Sequence, residues 1–136
     1  MNSSPKKLSI FGLGYVGSVS AACFANTGHV VIGVEPLRNK VDLINRGISP
    51  IVENGLDELL RKAVKDGHLR ATNNAAEAVE ESEISIVCVS TPSRPNGDVD
   101  VTRIETVYRE IGEALGPQER FSRRRQSIDH FARYHA

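Results

Sequence analysis

A glycine-rich segment near the amino terminus constrains the fold of this chain more than any other feature. Gly12, Gly14 and Gly17 have the spacing G-x-G-x-x-G, after the strand-like run Lys7–Phe11 and at the start of the helical pattern Tyr15–Thr27. Gly12 permits a tight turn, Gly14 lets the main chain approach a diphosphate without a Cβ in the way, and Gly17 allows close packing of helix on strand. The context predicts a dinucleotide-binding strand, turn and helix.

Two backbone amides and one acidic residue complete the predicted site. The amides of Tyr15 and Val16 begin the helix, where unpaired donors and the helix dipole favour a diphosphate. Glu35 follows the second predicted strand, Val30–Val34, eighteen residues after the last glycine of the loop. Its carboxylate can accept hydrogen bonds from an adenine ribose and repels a 2′-phosphate, which predicts NAD. NADP stays an alternative because Arg38 can pair with that phosphate, and FAD or another adenine nucleotide can use the same turn.

The remainder of the chain, as far as Leu115, alternates predicted helices with predicted strands. This alternation indicates an α/β fold with a doubly wound parallel sheet. The predicted helices are Lys40–Asn45, a segment between Gly55 and Gly67, Asn74–Ser82 and Thr102–Leu115, and the predicted strands are Leu69–Ala71 and Ile84–Val89.

Length and composition limit the class of protein. A chain of 136 residues with 40% hydrophobic and 25% charged residues is typical of one water-soluble domain. No apolar run approaches a membrane span, and Met1–Lys7 lacks the apolar stretch of a secretory signal, so a cytoplasmic location is predicted. Cys23 and Cys88 match no metal-ligand spacing and have small or apolar neighbours, which predicts two reduced core thiols and no metal site.

Several further motifs resemble one enzyme family in both order and spacing. Between about residues 7 and 115 the chain is similar to the UDP-glucose/GDP-mannose dehydrogenase family, and three of its segments resemble the GDP-mannose branch. The family motifs are matched by Ser9–Gly17, Val31–Glu35 and Asp42–Gly47, and the branch motifs by Ser49–Leu56, Val87–Ser93 and Asn96–Gly112.

This resemblance implies a Rossmann-type sheet and a role for individual residues. Tyr15 and Val16 would touch the pyrophosphate, Glu35 and Lys40 would hold the adenosine half of NAD, and Thr91 would lie near the nicotinamide half. Thr91 follows the fourth strand, beside the first, where doubly wound sheets bind ligands. Alternatively, Lys40 is a solvated charge on a helix, and Thr91 marks the end of a strand without a role in binding. One departure is that Glu35 stands where this branch usually has aspartate.

The resemblance also implies an activity that this sequence does not complete. Family members oxidise the sugar C6 alcohol of a nucleotide sugar twice, here GDP-mannose to GDP-mannuronate for alginate-type polysaccharide synthesis, through a cysteine in a Gly-Gly-Ser-Cys segment. No such segment occurs in the chain. We therefore expect NAD binding without a catalytic residue or turnover, and we expect the nucleotide-sugar substrate and the homodimer only in full-length members. The alternatives are a piece of a UDP-glucose 6-dehydrogenase and a stand-alone or vestigial NAD-binding module.

The last twenty-one residues, 116–136, resemble nothing in the family, which continues with a fifth strand and the phrase Arg-Ser-Thr-Val-Leu-Pro-Gly-Thr. They carry five arginines against two acidic residues, a pattern more typical of a solvated tail than of a nucleic-acid site. Moving the reading frame by one base permits Ser-Val-Val-Val-Ala over residues 121–125 and then Ser-Arg-Ser-Thr-Ile-Leu-Pro-Gly-Thr-Thr. The hypothesis is an incomplete NAD-binding domain over residues 1–115, truncated before its fifth strand, and a frameshifted, disordered tail. The fourth strand would then have one unpaired edge.

Overall fold

The computed structural model describes residues 4–116 and 126–129, which form one parallel sheet with helices on both faces. The sheet order is β3-β2-β1-β4-β5, with every neighbouring pair parallel. The doubly wound α/β class predicted from the sequence is confirmed. The strands are β1 (Lys7–Phe11), β2 (Val30–Val34), β3 (Leu69–Thr72), β4 (Ile84–Val87) and β5 (Gln126–Asp129), and the helices are α1 (Tyr15–Asn26), α2 (Arg38–Asn45), α3 (Leu56–Lys65), α4 (Ala75–Glu81) and α5 (Thr102–Leu115).

Two apolar clusters, one on each face of the sheet, hold the layers together. Neighbouring residues of β1 separate into them because successive side chains of a strand point to opposite faces. Ile10 belongs to the cluster under α1, α2 and α3, together with Leu60, whereas Phe11 belongs to the cluster under α4 and α5, together with Val79. Covering on both faces explains why the central strands are almost continuously apolar.

Local signals in the sequence set the ends of the helices close to where they were predicted. The Asn74 side chain caps α4, because its Oδ1 accepts a hydrogen bond from the Glu77 amide at 3.1 Å. Gly67 has a φ of 76° just beyond α3, a left-handed conformation that glycine adopts at little cost. Thr102–Leu115 is helical over the predicted range.

The carboxyl-terminal segment contradicts one expectation. Gln126–Asp129 forms a fifth strand parallel to β4, with Ile86 in register with Ile128, although no strand was predicted after Leu115. The far edge of β4 presents backbone donors and acceptors at regular spacing, and an extended segment can pair with them whatever its side chains. The expectation of an unpaired β4 edge is therefore wrong. The predicted disorder of the rest of the tail lies outside the described residues.

A side chain closes the opposite edge of the sheet. The Thr72 carbonyl of β3 accepts a hydrogen bond from the Glu35 amide at 3.0 Å, so Ala71, one residue earlier, faces away from β2. Asn45 at the end of α2 binds both backbone groups of Ala71: its Oδ1 accepts from the Ala71 amide at 2.7 Å, and its Nδ2 donates to the Ala71 carbonyl at 3.0 Å. One amide side chain thus replaces the next strand at this position.

Residues 4–116 and 126–129 include no helix with both the length and the apolar character needed to span a bilayer.

Candidate dinucleotide site

Two of the three loop glycines are required by the protein's own structure. Gly12 has a φ of 98°, and a Cβ on it would lie 2.7 Å from the Cys88 carbonyl oxygen. A Cβ on Gly17 would lie only 1.7 Å from the Gly12 carbonyl oxygen, so α1 can begin this close to β1 only with glycine there. These contacts agree with the tight turn and the close helix packing predicted for the two positions.

Gly14 differs because neither its conformation nor its neighbours require glycine. Its φ is −80°, which any residue can adopt. A Cβ at this position would meet no atom of residues 4–116 and 126–129 within 4 Å, its two chain neighbours aside. The space that a side chain would fill lies at the amino terminus of α1, which has no acidic residue in its first turn. The described structure therefore gives no packing reason for glycine at this position.

Tyr15 and Val16, the first two residues of α1, follow directly on this open space. The first backbone hydrogen bond within the helix runs from the Ser18 amide to the Gly14 carbonyl, at 2.9 Å. The first turn of a helix presents its amides toward whatever lies beyond its end. Tyr15 is about half exposed, at 52%.

Glu35 is buried, and its carboxylate already has backbone partners. The residue is only 6% exposed. Its Oε2 accepts a hydrogen bond from the Leu13 amide at 3.0 Å, and its Oε1 accepts one from the Leu37 amide at 3.4 Å. A carboxylate offers roughly four acceptor positions, so capacity remains for a ribose hydroxyl. Glu35 therefore binds the backbone of the glycine loop at Leu13.

Leu13, between the first two glycines, is the residue of the site that sequence reasoning missed. It is fully buried, and its side chain covers Gly33, where a Cβ would lie 2.8 Å from both Leu13 methyl carbons. Its carbonyl accepts a hydrogen bond from the Ser18 hydroxyl at 3.0 Å, and its amide binds Glu35. An isolated glycine inside a strand, here Gly33 in β2, is the sequence signal for such a close approach.

The two remaining predicted residues follow β2 and β4 in the chain. Lys40 is half-buried in the first turns of α2, where its amide donates to the Leu37 carbonyl at 3.0 Å. Thr91 is half-buried just beyond β4, and β4 pairs with β1 on the side away from β2. The chain reverses its winding between β1 and β4, and ligands of doubly wound sheets bind at that point.

The segment after Thr91 folds as a small hairpin. Gly97 has a φ of 90°, and Ser93 and Val99 form an antiparallel bridge. Asp100 lies between the hairpin and α5, and its Oδ1 accepts a hydrogen bond from the Thr102 amide at 3.0 Å. Hydrogen bonds from Thr102, assisted by Arg94, hold the pKa of the Asp100 carboxyl below its ordinary value.

The expectation that both cysteines are core thiols is wrong for Cys23. Cys23 is exposed, not a core thiol, because α1 turns Ala21, Ala22 and Ala25 toward the sheet and Cys23 to solvent. Cys88 is partly buried at the end of β4, and burial raises the pKa of its thiol, which disfavours the reactive thiolate. The described part of the chain contains no cluster of His, Cys, Asp and Glu that could hold a metal ion.

A doubly wound parallel sheet, a glycine turn that opens α1 and a carboxylate at the end of β2 together define a dinucleotide-binding domain of the Rossmann type. The family model described as the UDP-glucose/GDP-mannose dehydrogenase family, NAD binding domain, matches residues 6–121. The chain belongs to this family and corresponds to its NAD-binding domain.

Individual relatives agree with this assignment. The chain is 54% identical to GDP-mannose 6-dehydrogenase from Azotobacter vinelandii over 109 residues, covering 80% of this chain and 25% of that protein. A crystal structure of GDP-mannose dehydrogenase from Pseudomonas aeruginosa matches with a TM-score of 0.79 and 54% identity, over 79% of this chain and 25% of that one. A UDP-glucose dehydrogenase structure from Pyrobaculum islandicum matches with a TM-score of 0.80 but 36% identity, over 83% and 26%. The chain thus spans about a quarter of the length of these relatives.

Proposed function

We propose that this chain binds NAD at the glycine loop and corresponds to the cofactor-binding part of a GDP-mannose 6-dehydrogenase. Gly14 carries the proposal, because the fold itself gives no reason for glycine there and a bound diphosphate does. The difference between 54% identity to a GDP-mannose enzyme and 36% to a UDP-glucose enzyme favours GDP-mannose as the substrate of the full-length protein.

The residues present fit the cofactor in the following roles. The first-turn amides of Tyr15 and Val16 would bind the diphosphate at the positive end of α1. Glu35 would accept a hydrogen bond from the adenine ribose, Lys40 would lie beside the adenosine half, and Thr91 would lie beside the nicotinamide half. When bound, NAD supplies the hydride acceptor, whereas the groups assigned to this chain only hold and orient it.

We also propose that this chain by itself does not oxidise GDP-mannose. Cys88 has a thiol whose pKa is raised by burial, and Cys23 lies on the solvent face of α1. Neither environment activates a nucleophile. Turnover, binding of the nucleotide sugar and the family's homodimer are therefore assigned to a full-length protein, and its location to the cytoplasm, which holds the NAD that it would use.

Calorimetric titration of the full chain tests the proposal. We expect NAD to bind at least about tenfold more tightly than NADP, because the buried Glu35 carboxylate and a 2′-phosphate repel each other. Addition of GDP-mannose to the NAD complex should give no reduced nicotinamide absorbance. Equal binding of both cofactors would favour the Arg38 alternative, and no binding of either would contradict the assignment.

A further inference from the structure

Leu13 connects the Glu35 carboxylate to the backbone of the glycine loop. Leu13 is held at three points: the Ser18 hydroxyl on its carbonyl at 3.0 Å, the Glu35 carboxylate on its amide at 3.0 Å, and Gly33 under its side chain. These contacts come from two parts of the chain: Ser18 lies in α1, and Gly33 and Glu35 lie at the end of β2. Because Leu13 directly precedes Gly14, they also fix the backbone that faces the open space at the start of α1.

Of these three contacts, the one from Glu35 joins a buried carboxylate to a backbone amide. The residue is 6% exposed, so its charge depends on backbone donors for stabilisation, and the Leu13 amide is the nearer of the two. In turn, the buried Leu13 amide would lose a charged acceptor if the carboxylate were removed, and hydrogen bonds to charged groups are among the stronger ones in proteins.

We propose that Glu35 is a positioning residue for the diphosphate, which acts through the Leu13 amide and independently of any contact with the ribose. The proposal rests on NAD binding at this loop. The carboxylate then has two functions, recognition of the ribose and positioning of the loop, which can be measured separately. A ligand with ribose hydroxyls is sensitive to both functions, whereas a ligand without those hydroxyls is sensitive only to the positioning of the loop.

ADP and 2′,3′-dideoxy-ADP separate the two functions in NMR titrations of the full chain. We expect Glu35→Ala to weaken dideoxy-ADP binding about tenfold or more, because the Leu13 amide loses its acceptor. Simple electrostatics predicts the opposite direction, since removal of a negative charge beside a diphosphate should strengthen binding. An unchanged or increased affinity of Glu35→Ala for dideoxy-ADP would overturn the proposal.

Conservative variants distinguish positioning from a general structural effect. Glu35→Gln keeps an acceptor oxygen at the same reach, so dideoxy-ADP affinity should stay within about threefold of wild type. Glu35→Asp keeps the charge but is one methylene shorter, so it should behave like Glu35→Ala toward dideoxy-ADP while still preferring ADP. Exchange of the Leu13 amide hydrogen should be faster in Glu35→Ala and Glu35→Asp than in wild type and Glu35→Gln.

Ser18→Ala provides a second route if Glu35→Ala does not fold. This variant releases the Leu13 carbonyl and leaves the carboxylate in place. Affinity for ADP and dideoxy-ADP should therefore fall by the same factor, whereas unchanged affinity for both would contradict a positioning role for the Leu13 contacts. If the wild-type chain binds NAD but the variants show none of these differences, only the positioning role is overturned. If the wild-type chain binds neither NAD nor ADP, the proposed function is overturned as well.

Discussion

Replacement of Gly14 with alanine should weaken NAD binding about a hundredfold, equivalent to roughly 2.7 kcal/mol, while leaving the free energy of unfolding unchanged within about 0.5 kcal/mol. Apart from its chain neighbours, the added Cβ meets no atom of the described part of the chain within 4 Å, and the φ of −80° suits alanine. The methyl group therefore costs the fold nothing and occupies the space assigned to the diphosphate. Calorimetric titration with NAD and urea unfolding of the same protein measure the two effects.

Gly112 offers a matched control for this substitution. It is an exposed glycine within α5, and beyond its own helix backbone a Cβ there also meets no described residue within 4 Å. Gly112→Ala should raise the free energy of unfolding by about 0.5–1 kcal/mol, because alanine restricts the unfolded chain and favours helix, and it should not change NAD affinity. If Gly14→Ala binds NAD as tightly as Gly112→Ala does, the diphosphate does not lie at Gly14.

Gly17→Ala should have the opposite profile, with its main effect on the fold. The Cβ would lie 1.7 Å from the Gly12 carbonyl oxygen, a backbone atom that cannot rotate away. Relief requires α1 to move off β1, which would open the cluster that contains Ile10 and Leu60. We expect the free energy of unfolding to fall by more than about 4 kcal/mol.

Urea unfolding followed by circular dichroism measures this loss, and Gly14→Ala is the control within the same loop. A Gly17→Ala protein with wild-type stability would contradict the close helix–strand contact at this position. Loss of NAD binding without loss of stability would indicate that Gly17 is needed for ligand binding and not for helix packing.

The sequence predicted the parts of the fold and site that depend on local spacing. Gly12, Gly14 and Gly17 lie within a few residues of each other, and the strands and helices around them follow from short patterns of apolar residues. The bond from Leu13 to Glu35 joins residues 22 apart and depends on a side-chain conformation, so no pattern along the chain encodes it. The outward direction of Cys23 similarly depends on which face of α1 meets the sheet.

The carboxyl-terminal segment shows a second limit of sequence reasoning. A fifth strand was predicted absent because residues 116–136 lack the family's apolar strand, yet Gln126–Asp129 pairs with β4. Strand pairing uses backbone groups that every residue except proline supplies in full, so composition alone is a weak guide at a free edge. The frameshift interpretation of this segment stays a prediction, which the nucleotide sequence tests directly.

The Asn45 side chain gives the two edges of the sheet different capacities for association. Ala71 lies within β3, and its backbone amide and carbonyl point away from β2. Asn45 binds both of these groups. A strand from another molecule would have to displace that amide before it could pair. Continuous edge-to-edge stacking needs two receptive edges on every molecule, so association through the sheet of this chain should end at pairs and not extend into fibres.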